Sequence, residues 1–121
     1  MHCIVIGSPD IGNYEKITSA LDKVLSQCNN ITMVVPELFN RGTEKLAMLY
    51  AKKMDLELVT YRPLNGKSVP DTVRMVIKQY DETAEKIGMV VFHIAGDNLE
   101  VLQACSVATE FNVPYKMFNI C

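Results

Sequence analysis

The chain has 121 residues, 49% of them hydrophobic, with 12 Lys and Arg against 14 Asp and Glu for a formal charge of −2. That length suits a single domain, residues 1–121, with one core. The balanced charge excludes a broad attraction to nucleic acid, which needs a strongly basic face, and no apolar run approaches the roughly 18 residues of a membrane span.

His2 to Ile6 is short, apolar and β-branched, and Gly7-Ser8-Pro9 bounds it, so it reads as a buried strand. Helical spacing runs from Tyr14 to Cys28, with Ile17, Leu21, Val24 and Cys28 on one face and Asn13 as N-cap. This strand–loop–helix junction aims backbone N–H groups and a helix N-terminus at one spot, which suits an anion. Asn29-Asn30 ends the helix. Ile31 to Val35, stopped by Pro36, is the second strand, and Glu37 to Gly42 the second loop. Gly42 or Thr43 opens a helix carrying Leu46, Ala47, Tyr50, Ala51 and Met54 on one face. Leu56 to Thr60 is the third strand, and a polar loop follows to Lys67, with Asn65-Gly66 as its turn. Ser68 and Asp71 frame a capping box for a helix burying Val73, Val76 or Ile77, Tyr80 and Ala84; Gly88 ends it. Met89 to His93 is the fourth strand. Asp97 and Glu100 frame a second capping box, and its helix presents Val101, Ala104, Cys105 and Ala108 before Asn112 stops it. Pro114 to Phe118 is the fifth strand.

Strand and helix thus alternate five times. Parallel strands need such crossovers, which predicts an α/β fold: a doubly wound, mostly parallel five-stranded Rossmann-like sheet with helices on both faces. Ligands of such sheets bind beyond the carboxyl ends of the strands. The cysteines, Cys3, Cys28, Cys105 and Cys121, form no Cys-x-x-Cys pair, and only His2 and His93 are there to join them, so the spacing does not suggest a metal site. They read as reduced thiols of a cytoplasmic protein, mostly packed as small hydrophobes. No basic region precedes the first strand, so no secretion signal is expected.

Three features then resemble a known family. The chain opens with Ile4-Val5-Ile6-Gly7-Ser8, then Tyr14-Glu15-Lys16-Ile17 and Ala20-Leu21. Arg41-Gly42-Thr43-Glu44 follows the second strand, then Leu46-Ala47 and Tyr50-Ala51, with Gly66-Lys67 and Arg74-Met75 further on. This resembles the YspA-like branch of the SLOG superfamily, Rossmann-like domains related to the LOG proteins and DprA. The resemblance implies a nucleotide or nucleotide-derived ligand at Gly7, Ser8, Arg41, Gly42 and Glu44, with Lys67 and Arg74 as further contacts. It also implies settings of immunity, stress, phage or other mobile elements. The pattern is a divergent one. Pro9 replaces an arginine, Leu38 and Phe39 stand where a glycine pair would, Met75 replaces an asparagine, and Asp97 to Glu100 replaces a Ser-x-Gly-Thr signature. LOG-type relatives cleave N-glycosidic bonds with a Pro-Gly-Gly-x-Gly-Thr-x-x-Glu motif that is absent here.

Glycines before a helix let a phosphate approach the backbone, so Leu38 and Phe39 are expected to block it and to leave apolar surface on the loop. Asp97 and Glu100 repel an anion at the fourth loop. Against Asp10, Glu37, Glu44 and Asp71 the edge sets Arg41, Arg62, Lys67 and Arg74, so a polyphosphate needs all four cations or a bridging Mg²⁺. A smaller nucleoside-like ligand, or a protein partner contacting Phe39, fits more easily. Several residues keep two readings. Arg41 binds an anion or pairs with Glu44 or Glu37; Ser8 meets a ligand or closes a turn. Glu44 contacts a ribose, acts as acid/base, or answers the helix dipole. His93 and Tyr14 are catalytic and base-stacking, respectively, or merely structural. The leading expectation is binding without catalysis. The alternatives are a protein-contact or inhibitor module and a nucleotide N-glycosidase using Glu44. A homodimer through the second and third helices is also expected. The shared pocket requires the Ser8 turn and the Arg41-Gly42 turn to meet in space.

Overall fold

A computed structural model describes residues 1–26, 28, 30–62, 68–81, 86–94 and 99–120. Its elements alternate as expected: β1 (His2–Gly7), α1 (Tyr14–Leu25), β2 (Thr32–Pro36), α2 (Thr43–Lys53), β3 (Glu57–Tyr61), α3 (Val69–Asp81), β4 (Ile87–His93), α4 (Leu99–Glu110) and β5 (Tyr115–Asn119). The strands form one parallel sheet in the order β3-β2-β1-β4-β5. The fold is therefore Rossmann-like and doubly wound.

Two cores explain why the central strands are apolar on both faces. Cys3, Val5, Met33, Val35, Val90 and Phe92 face α1 and α2, which bury Ile17, Leu21, Leu25 and Tyr50 against them. Ile4, Ile6, Val34, Met89 and Val91 face α3 and α4, which return Val73, Ile77, Val101 and Ala108. Asn13 caps α1, its Oδ1 accepting from the Lys16 N–H at 3.1 Å. Asn112, read as a helix stop, follows α4 with φ 56°, the left-handed conformation that asparagine tolerates better than most residues; α1 ends earlier than expected, at Leu25 with Ser26 as its C-cap, so Asn30, at φ 54°, lies beyond the helix end and does not stop it. Between α1 and α2 the Tyr50 hydroxyl donates to Asp22 Oδ1 at 2.7 Å. Tyr50→Phe is expected to lower stability by about 1 kcal/mol in urea denaturation, the worth of one such bond.

Several local expectations are corrected. Gly88 does not end α3; it lies inside β4, paired with Cys3, and the Met1 Cε sits 2.8 Å from where its Cβ would be. Met54 falls just past α2, as its C-cap and not within the helix, and is 51% exposed. Ser68 Oγ accepts from the Asp71 N–H, but the Asp71 carboxylate pairs with Arg74, so the reciprocal half of that capping box is diverted. Asp97, and with it the capping box expected with Glu100, lies outside the described residues, as do Lys67 and Ala84. Burial pushes the Cys3 thiol up to about 12, with Cys28 nearby adding to the shift, and burial also raises Cys105. These thiols are free and pack as apolar groups. Among the described residues no helix is long and apolar enough to cross a membrane.

Candidate functional site

The strand order reverses between β1 and β4: the chain winds outward from β1 to β3, then crosses to β4 on the other side of β1. In this class of sheet the crevice beyond the carboxyl ends at that reversal is where ligands sit. The described residues there are the β1–α1 loop from Ser8 to Asn13 and the end of β4 at His93 and Ile94.

The two turns named from the sequence do meet. The Ser8 carbonyl accepts both from the Thr43 N–H at 3.2 Å and from Thr43 Oγ1 at 2.9 Å. Ser8 itself is 0% exposed; its N–H donates to the Phe92 carbonyl and its Oγ accepts from the Asp10 N–H. Ser8 thus closes its own turn. Gly7 is needed because a side chain there would strike Thr43 and the Phe92 carbonyl oxygen. Gly42, at φ 66°, lies against the Pro9 backbone, and α2 begins directly after it. The β1–α1 and β2–α2 loops are therefore one packed unit.

Glu44 lies at its centre. It is 1% exposed, and its two carboxylate oxygens accept from the Phe39 N–H at 2.8 Å and the Asn40 N–H at 3.1 Å. Burial raises its pKa; the N–H donors of Phe39, Asn40 and Leu38 oppose the rise, and the charge of Glu37 adds to it. A side-chain carboxylate here holds the backbone donors that an incoming anion would otherwise recruit at this loop.

The outward charges are paired. Arg41 joins Asp10 at 3.3 Å, not Glu44 or Glu37, and the two side chains are 68% and 62% exposed. Glu37 is taken by Arg62 at 2.8 Å, with the arginine projecting into solvent. Arg74 is not brought to this rim. It is held by Asp71 and by Glu110, the last residue of α4, where that helix has returned to the opposite rim of the sheet. Lys67 falls outside the described residues. Phe39 and Leu38 do not stand out as an apolar knob: both are half-buried against the α3–α4 core. Tyr14 is half-buried against the other core, with Lys53 Nζ 5.9 Å from its ring centre. The apolar face of α3 is buried, whereas α2 leaves Leu49 52% exposed. Among the described residues no three His, Cys, Asp or Glu side chains gather to hold a metal ion. Sequence reading missed Thr43, whose hydroxyl ties the loops, and the Asp10–Arg41 and Glu37–Arg62 pairs.

The site and sheet define a doubly wound, Rossmann-like α/β domain. No protein-family model matches the chain, and no curated protein matches it. Among solved structures it is similar to a predicted subunit of a tRNA methyltransferase from Methanocaldococcus jannaschii, at 14% identity and a TM-score of 0.46, over 99% of this chain and 68% of that one. A likeness of that size speaks to neither ligand nor reaction.

Proposed function

We propose that this protein binds a nucleotide-derived ligand of low charge in the crevice beyond β1 and β4, without catalysis, as a divergent SLOG-type domain. The observation that carries the reading is the junction of the Ser8 turn with the Arg41-Gly42-Thr43 turn through the Ser8 carbonyl. It gathers Gly7, Ser8, Arg41, Gly42 and Glu44 at one rim, next to the reversal of strand order. Low charge follows from the Glu44 carboxylate, which holds the loop's N–H donors, and from the carboxylates beside Arg41 and Arg62. Gly7, Ser8, Gly42 and Glu44 build the rim, and Arg41 is its exposed contact. Glu44 serves the fold through both oxygens, which disfavours the N-glycosidase reading.

Calorimetric titration of nucleosides and nucleoside monophosphates tests this. At least one is expected to bind, and Arg41→Ala is expected to weaken it roughly tenfold, the loss of one charge-assisted bond. The melting temperature should hold, because an exposed ion pair contributes at most about 1 kcal/mol. A folded protein that binds no member of the panel refutes the reading. The protein-contact alternative draws on Leu49 and Met54, the exposed apolar residues at α2; a homodimer through this face would be dissolved by Leu49→Asp in sedimentation.

A further inference from the structure

The rim opposite these loops carries different chemistry. A cavity of about 200 Å³ opens there between the sheet and the end of α1. Its floor is the α1-facing side of the sheet: Met1 and Cys3 alternate onto that face of β1, Gly88 lies beside Cys3 on β4, and Lys116 borders it from β5. Its roof is Val24 and Cys28. Gly88 makes the room, and the Met1 methyl lies over it, 2.8 Å from the position a Cβ would take. Cys28 Sγ is 3.8 Å from the Val24 carbonyl, a weak contact that a stronger bond can replace. Two thiols and a thioether thus border one small apolar space.

The geometry points to a binding site for a soft monovalent metal ion, Cu(I), held by the sulfurs of Met1, Cys3 and Cys28. Thiolate and thioether donors select Cu(I) over harder cations. A structural zinc site takes four N, S or O ligands, and this set supplies three. On binding, the metal displaces a proton to solvent from each thiol, including the buried Cys3 thiol that holds its proton tightly in the free protein, and each sulfur bonds the metal, while Met1 donates a lone pair; no electron is transferred. The resulting Cu(I) bis-thiolate carries one negative charge, of the sign opposite to that of Lys116, a residue that lines the cavity. This site is independent of the ligand proposed for the opposite rim.

The test uses the reduced 121-residue chain with Cys105→Ala and Cys121→Ser, which leaves Cys3 and Cys28 as its thiols. It is titrated anaerobically with Cu(I) against a chromogenic Cu(I) chelator. One Cu(I) per chain is expected to stay on the protein, with ultraviolet thiolate-to-copper absorption. Cys3→Ala and Cys28→Ala, each checked for folding by circular dichroism, should each weaken retention at least about tenfold, since loss of even a supporting group around a metal does so. Gly88→Ala keeps both thiols but displaces the Met1 methyl and should also weaken it. Equal retention by the cysteine variants, surrender of all copper to the chelator by the parent, or a Cys3–Cys28 disulfide without bound metal overturns the site. Unchanged retention in Gly88→Ala overturns its three-sulfur form.

Discussion

Glu44→Ala is expected to destabilise the fold by about 3 kcal/mol, a drop on the order of 10 °C in melting temperature for a domain of this size. The side chain is buried and accepts from the N–H groups of Phe39 and Asn40. Removing it strands both donors in a half-buried loop and releases the turn that presents Arg41. Hydrogen bonds to a charged acceptor are worth about 1.5–3 kcal/mol each, and relief of the buried charge returns part of that. Glu44→Gln keeps one acceptor oxygen but turns an NH₂ toward the other donor, so its loss should be intermediate. The pH dependence has a defined sign. Burial raises the carboxyl pKa above its ordinary 4.5, so the folded chain holds this proton more tightly than the unfolded one. Stability from this group is therefore complete below about pH 4.5 and falls as pH climbs through the folded value. Glutamine has no such proton, so the wild-type margin over Glu44→Gln should narrow as pH rises above about 4.5. A margin that widens contradicts the assignment.

Gly42→Ala is expected to cost a similar amount, about 3 kcal/mol, by a different route. Gly42 has φ 66° and ψ −129°, a region open to glycine and strained for any residue with a Cβ. The added methyl would also strike the carbonyl carbon and oxygen of Pro9, which are backbone atoms and cannot swing aside. Either α2 withdraws from the β1–α1 loop, breaking the Thr43 bonds to Ser8, or the loop shifts. Gly12 is the control: it lies in the same loop with nothing within 4 Å of where a Cβ would stand, so Gly12→Ala should change stability by no more than about 0.5 kcal/mol. Urea denaturation of both variants makes the comparison, and equal effects would count against the packed-loop account.

The fold was legible because its signals are local and repeated. Short apolar runs bounded by Gly, Pro or Asn alternate with helical faces, and both periodicities follow from backbone geometry. Glu37 and Arg62 show how close the site came to being readable. Val35 pairs with Thr60 and Pro36 with Tyr61, so the next step along the parallel strands sets Glu37 beside Arg62. Extending both strands by one residue would have revealed that pair and freed Arg41 from it. Other features had no local signal. Arg41 and Asp10 are 31 positions apart, and only the packing of two loops joins them. Phe39 looks exposed as an apolar residue in a loop until the α3–α4 core that receives it is known. Glu44 resembles an ordinary first-turn carboxylate. Its bonds to Phe39 and Asn40 depend on the loop curling back, with Asn40 at φ 60°.

Because every strand runs the same way, β1 begins at one end of the sheet and β5 finishes at the other. A tether fused before Met1 therefore emerges beside the sulfur-lined cavity and leaves the crevice beyond β1 and β4 clear. One fused after Cys121 follows the end of β5 and does the opposite. Immobilised binding assays for the two sites thus call for attachment at opposite termini.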